Sequence, residues 1–217
     1  MAEVGLEFRR IGEEWVLLRF GDAICDEVSE RVRLVYENVK RLEVVCECIP
    51  TYTDLALRVR GDALEWEGQE WRALVSNFTE DGGAQSSRRI EVPVRFAQAE
   101  DPACDWQHYT QQVNLPADTI IEKLLATEFT VAMIGFLPGM PYLSGLPAEL
   151  HLPRRESLAT AAPGTFAIGG QQAGFLPNQT LTGWWRLGLT AQAIFDMNRE
   201  PSSLFRLGDK VQLLRMD

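Results

Sequence analysis

The 217-residue sequence lacks most of the signatures that fix a function at once. No apolar run approaches the roughly 18 residues that cross a bilayer as a helix, so no membrane span is expected. Met1-Ala2-Glu3-Val4-Gly5 has no basic start followed by an apolar stretch, so no secretory leader is expected. Basic charge is scarce: 21 Lys and Arg stand against 31 Asp and Glu, a formal net charge of −10. Residues 1–96 carry −6 of it and residues 97–217 carry −4. Neither half offers the basic footprint of a nucleic-acid binder, and an anionic membrane surface would repel both. There is no GxxxxGK[ST] phosphate loop, no GxSxG elbow and no HExxH helix. Histidine is rare (His108 and His151), so a metal site is not expected. The four cysteines are Cys25, Cys46, Cys48 and Cys104. Cys46-Glu47-Cys48 sits in an alternating, strand-like segment that would put both thiols on one face. No second pair or nearby histidine completes a metal site there. Buried or half-buried reduced thiols suit a cytoplasmic protein.

What is present is an ordinary globular composition, 46% hydrophobic and 24% charged. Val16, Leu18 and Phe20 alternate as a strand. Ile24, Val28, Val32, Val35, Val39 and Leu42 then form one apolar helical stripe, with Asp22 as its expected N-cap. Strands follow at 43–49 and 54–60, and a second helix near 68–78. Asp81-Gly82-Gly83-Ala84-Gln85-Ser86-Ser87 reads as a linker. Ile90, Val92, Val94 and Phe96 alternate behind it. With that strand included, the front reads β-α-β-β-α-β, the split βαβ plan. The strand could equally open a second domain, so the boundary falls within 80–97, with 1–86 and 87–217 as the working division. Two short helices are expected near 105–113 and 116–125, then a buried strand at 129–136. Short strands with frequent Gly and Pro continue to Lys210–Leu214, as in a barrel or sandwich.

One segment concentrates the signal. Gly135–Thr190 holds 9 of the 17 glycines, 6 of the 11 prolines and only five charged residues: Glu149, Arg154, Arg155, Glu156 and Arg186. Fixed turns and close backbone approach dominate such a stretch. It reads either as barrel corners or as a pocket lined by backbone.

Its wording is specific. Gly135-Phe136-Leu137-Pro138-Gly139-Met140-Pro141-Tyr142-Leu143 comes first, then Leu150-His151-Leu152-Pro153-Arg154-Arg155. Pro163-Gly164-Thr165-Phe166-Ala167-Ile168-Gly169-Gly170-Gln171-Gln172-Ala173-Gly174 and Gly183-Trp184 follow. These motifs resemble the family containing a bacterial 5-oxoprolinase subunit, the sporulation-kinase inhibitor and allophanate hydrolase subunit 1 (carboxyltransferase-type C and D domains). The resemblance covers roughly residues 10–215, strongly after 129. It implies an α+β chain, a ferredoxin-like N-terminal domain followed by a cyclophilin-like β-barrel. It also implies a partner, a second barrel subunit, and in the 5-oxoprolinase system a third subunit. There the complex hydrolyses a small amide or lactam with ATP. In the kinase-inhibitor branch, a related protein binds a sensor histidine kinase without catalysis.

The resemblance nominates residues. Asp105 is expected as a base or orienter, or else as a helix N-cap. His151 is expected to bind a carboxylate or shuttle a proton, or else to pack as a loop histidine. Arg154 is expected to clamp a carboxylate, or else to pair with Glu149 or Glu156. Gly135, Phe136, Pro138, Gly139, Pro141, Gly169, Gly170, Gln172, Gly183 and Trp184 form the expected substrate-binding frame. Three positions depart from the family pattern. Leu124 and Leu189 stand where a histidine or cation is usual, and Ala159 falls where a second Pro-Arg is usual. Those changes remove proton-transfer and charge-stabilising groups, which favours the non-catalytic branch.

Overall fold

The computed structural model describes residues 6–80, 87–96 and 104–216. The expected linker at 81–87 lies, up to Ser86, outside the described residues. The chain divides into two compact units, Met1–Ser86 and Ser87–Asp217.

The first unit is a four-stranded antiparallel sheet under two helices. In chain order the elements are β1 (Glu7–Ile11), β2 (Trp15–Arg19), α1 (Asp26–Val39), β3 (Val45–Pro50), β4 (Asp54–Val59) and α2 (Gly68–Glu80). The strand order is β1-β2-β4-β3, so β4 lies between the two strands that α1 connects. That is the split βαβ of a ferredoxin-like unit. Val16, Leu18, Leu55, Leu57 and Val59 point to one face and meet Val28, Val32 and Val35 of α1 and Trp71 of α2.

The fourth strand is β1, at the front of the chain; the segment around Ile90 lies in the second unit, one of the two placements that the sequence leaves open. Three charges in Glu7-Phe8-Arg9-Arg10-Ile11 hide the alternation, and only Phe8 packs on the core. The helix begins at Asp26 with Cys25 at its N-cap, not Asp22, and Cys25 makes no side-chain cap bond. Asp26 and Glu27 supply negative charge to that first turn instead. The two thiols of β3 do not share a face, because the ladder slips between Val45 and Glu47. Cys46 is exposed, while Cys48 packs on the core and burial pushes its thiol up to about 11.

The second unit is a closed barrel. It uses β5 (Arg89–Phe96), β6 (Glu128–Ile134), β7 (Pro141–Ser144), β9 (Thr165–Gly169), β10 (Gln172–Leu176), β12 (Trp185–Leu189) and β13 (Lys210–Arg215). Going round, the order is β10-β7-β6-β13-β5-β12-β9. All pairings are antiparallel except β13 with β5. Phe129, Phe166 and Phe175 fill the interior, and Phe175 stacks on Phe205 with ring centroids 5.9 Å apart. α3 (Trp106–Val113) and α4 (Ala117–Ala126) add Trp106, Tyr109, Ile120 and Leu124 to the same core. Val92 and Val94 of β5 are fully buried there, which is why that strand serves the barrel.

Two three-residue strands, β8 (Ala159–Ala161) and β11 (Thr180–Thr182), pair only with each other, as a ribbon separate from the barrel sheet. No helix among the described residues is long and apolar enough to cross a membrane.

Candidate functional site

β9 explains how a site forms on the outside of the barrel. Phe166 and Ile168 face the interior, and the alternate positions Ala167 and Gly169 are small. The small side makes a shelf on which Trp184 lies. A Cβ on Gly169 would sit 2.7 Å from the Trp184 ring, so only glycine permits that contact. Gly174 of β10 is similarly confined, by the Pro141 carbonyl at 2.6 Å and by Trp184. Tyr142 meets Trp184 edge-on at 5.4 Å. With Met140, Ala161 and Leu176 these rings form a second apolar cluster, distinct from the barrel interior.

This cluster is the floor of a cleft of about 680 Å³. Met140, Tyr142, Leu176 and Trp184 line the barrel side, and Leu158, Leu181 and Thr182 line the ribbon side. Pro153, Arg154, Arg155, Gly183 and Phe136 complete it. The lining contains two arginines and no carboxylate. Such a cleft suits an anion carrying a small apolar body.

The mouth is apolar. Phe136 is 73% exposed, Leu158 63% and Leu181 59%. Phe136 also has φ of +67°, and the Leu137 N–H donates to the Gly135 carbonyl at 2.8 Å across it. This is a tight γ-turn of the positive-φ kind, which is rare and strained for a bulky residue. The strained turn holds a large ring out at the cleft mouth. Gly139 closes the same turn with φ of +76° and no room for a Cβ against Phe195.

A buried charge cluster stands behind the cleft. Asp105 is 7% exposed. Its Oδ2 accepts from the Arg186 backbone N–H at 2.8 Å and from Arg186 Nε at 2.9 Å. Its Oδ1 accepts from Arg186 Nη2 at 2.9 Å and from Arg155 Nη1 at 2.8 Å. Burial pushes the carboxyl up, but the bonds from Arg186 and the charges of both arginines overcome it and hold Asp105 below the ordinary carboxylate range. Burial holds Arg155 below its ordinary value; Asp105 opposes that shift and Arg186 adds to it. One carboxylate thus faces two guanidinium groups, leaving net positive charge at the cleft wall. Arg155 also lies over the Trp185 ring at 5.8 Å.

The structure brings together only part of the expected site. Arg154, Phe136, Gly183 and Trp184 line the cleft. Arg154 has no carboxylate partner among the described residues; Glu149 pairs instead with Lys123 at 2.6 Å. Its charge acts on Tyr142, whose hydroxyl burial raises and Arg154 lowers, for a net rise. Gly135, Pro138, Gly139 and Pro141 shape the turn into β7, and Gly169 seats Trp184. Gly170 and Gln172 do not line the cleft. The Gly170 N–H is taken by the Leu152 carbonyl at 2.8 Å, so it is not available to a phosphate, and Gln172 starts β10 opposite Gly169. His151 is also away from the cleft lining, where Nε2 donates to the Leu146 carbonyl at 2.9 Å and ties a turn. Asp105 occupies the N-cap position of α3 without capping it, and both its oxygens are engaged by arginine. A carboxylate so held is a poor proton acceptor. Arg155, Arg186, Tyr142, Thr182 and the leucines of the ribbon were not expected. The signal for the two arginines was their place among five charges in a Gly/Pro-rich stretch.

The sequence matches the family described as carboxyltransferase domain, subdomain C and D, over residues 6–205. The chain belongs to that family. Among relatives, a 5-oxoprolinase subunit of Escherichia coli O157:H7 is 30% identical over 211 residues, covering 94% of this chain and 93% of that protein. A 5-oxoprolinase subunit of Bacillus subtilis is 28% identical, covering 98% and 94%. Among solved structures, TTHA0988 aligns with a TM-score of 0.79 at 24% identity, over 94% of this chain and 40% of that one. This chain therefore spans about two-fifths of that protein's length. The urea carboxylase of Kluyveromyces lactis aligns with a TM-score of 0.68 at 16% identity, over 98% of this chain and 22% of the enzyme. These two likenesses concern the fold.

The three departures from the family pattern fall outside the cleft lining. Leu124 is fully buried in the barrel core, Ala159 opens the ribbon, and Leu189 pairs with Thr165 and Arg95. They do not strip the cleft of its charge.

Proposed function

We propose that this chain is a subunit of an ATP-dependent complex that hydrolyses a small amide or lactam, of the 5-oxoprolinase type. The observation that carries the reading is the cleft of a family member: two arginines, no acid, and a floor of Met140, Leu176 and Trp184. 5-Oxoproline is a five-membered lactam with one carboxylate. Arg154 binds that carboxylate through paired N–H donors, while the ring methylenes lie against Trp184 and Met140. The cleft exceeds the volume of so small a ring, and its mouth is apolar at Phe136, Leu158 and Leu181. A second barrel subunit covers that mouth and excludes water.

ATP would supply carbonyl activation in the complex. The lining of this cleft does not fit a magnesium ion. Among the described residues no three His, Cys, Asp or Glu side chains cluster to hold a metal ion, and the cleft lining has no acid. The role of this chain is to bind, orient and shield the substrate.

The test is to co-purify the chain with its partner subunits and assay glutamate formation from 5-oxoproline. ATP-dependent glutamate is the expected result. A correctly assembled complex that forms none sinks the reading, and binding to a sensor histidine kinase would then be the next assay.

A further inference from the structure

We propose that Asp105 is a positioning residue that sets the width of the cleft through the β8–β11 ribbon, without touching the ligand. The proposal rests on the cleft's being the binding site. The ribbon has three residue pairs, Thr180 with Ala161, Leu181 with Thr160 and Thr182 with Ala159. Its ladder does not continue into the barrel sheet. So short a pairing is not stable by itself in water. Ala161 packs into the apolar floor, and side chains supply the polar tethers.

Two of those tethers lead to Asp105; a third, the Trp184 backbone N–H donating to Thr182 Oγ1 at 3.0 Å, does not. Arg186 Nη1 donates to the Thr160 carbonyl of β8 at 2.7 Å. Arg155 Nη2 donates to the Thr182 carbonyl of β11 at 3.1 Å. Each strand is thus clasped by its own guanidinium, and one carboxylate holds both guanidiniums. Remove its charge and two partly buried cations face each other with no anion between them. Their repulsion is the force that would open the clasp. Leu158, Leu181 and Thr182 form the ribbon side of the cleft, and the barrel side is built on β7, β10 and the Trp184 shelf. Displacing the ribbon therefore widens the cleft while its barrel wall stays in place.

This arrangement separates Asp105 from proton transfer. Both of its oxygens are bonded to arginine, and none of its atoms lines the cleft. Its loss weakens ligand binding and leaves the chemical step nearly unchanged.

Hydrogen exchange of the full chain tests this directly, comparing wild type with Asp105→Asn and Asp105→Glu. In Asp105→Asn the amides of 159–161 and 180–182 exchange about tenfold faster, with β5, β6 and β13 unchanged. Asp105→Glu, which keeps the charge, restores part of the protection. Uniform acceleration across the barrel, or an unchanged ribbon, overturns the proposal. Should Asp105→Asn fail to fold, Arg155→Gln removes the β11 clasp and one of the two cations on Asp105, leaves the Arg186 clasp on β8 in place, and must loosen 180–182. Residues 180–182 as protected in Arg155→Gln as in wild type overturn the proposal too. In the assembled complex, Asp105→Asn raises the KM for 5-oxoproline about tenfold with kcat within about twofold. A collapse of kcat at unchanged KM would place Asp105 in the chemistry instead. The exchange arm needs no ligand. An inactive wild-type complex therefore fails the 5-oxoprolinase reading while the ribbon proposal stands or falls on its own.

Discussion

The two units handle polar groups in opposite ways. In the N-terminal sheet the charges stay near the surface: Arg58 lies 3.4 Å from Glu47 with both side chains exposed, and exposed Arg19 bonds the partly buried Asp54 at 3.1 Å. Of its described charged residues only Arg33 is buried, beside Glu30. The barrel unit buries Asp105, Thr165, Thr182, Arg186, Thr190 and Asp209. Asp105, Arg186 and Thr182 all belong to one network against the cleft. Burying charge is costly unless every group is partnered. A fold that needs only stability can avoid it, as the first unit does. In the second unit Asp105 and Arg186 are buried beside the cleft, and the described residues of the first unit hold no counterpart to that network.

The largest expected effect breaks that network. Asp105→Ala leaves two buried guanidiniums uncompensated and costs roughly 3–5 kcal/mol in urea unfolding of the barrel. A cost below about 1 kcal/mol would make the cluster equivalent to a surface pair and erase the contrast between the units.

The acid limb sharpens the same point. Asp105 is depressed in the folded state, so its contribution is present above the unfolded carboxylate pKa of roughly 3.9 and is lost as pH falls through the lower folded value. The stability difference between wild type and Asp105→Asn should be full at neutral pH and shrink as pH drops below about 4. A difference that stays constant down to about pH 2 would contradict the assignment of that charge.

Packing gives a smaller contrast. Gly169→Ala drives a methyl into the Trp184 ring and should cost about 1–3 kcal/mol by urea unfolding, with a change in tryptophan fluorescence. Gly68→Ala, at the start of α2, meets nothing closer than Phe8 at 3.8 Å and should stay within about 0.5 kcal/mol. The smallest effect is expected from Glu47→Ala, whose pair with Arg58 is exposed on both sides; urea unfolding should shift by less than about 1 kcal/mol.

The fold was legible wherever apolar periodicity carried it. The stripe Val28-Val32-Val35-Val39 and the alternation in Leu55-Leu57-Val59 name the inward faces of α1 and β4 without ambiguity. β1 was not legible, because three charges in five residues mask a strand that buries little besides Phe8. In the site, Arg154 and Trp184 could be named because long motifs carry them. The partners of Asp105 could not. Arg186 is 81 residues away and Arg155 is 50, and no local pattern encodes which cation meets which carboxylate. His151 misled for the complementary reason, since a motif position looks the same whether its imidazole faces a ligand or a carbonyl five residues back. The three departures at Leu124, Ala159 and Leu189 weighed too heavily in sequence because only the folded chain shows that they lie outside the cleft lining.

The most direct test of the account is the KM for 5-oxoproline in the assembled complex, measured with wild type and with Arg154→Ala. Arg154 is exposed and has no carboxylate partner among the described residues, so its removal should leave the unfolding midpoint nearly unchanged. Losing a charge-assisted pair of about 1.5–3 kcal/mol should raise KM roughly ten- to a hundredfold. An unchanged KM with full activity would show that the substrate's carboxylate is bound elsewhere, and that the cleft beside Trp184 is not its site.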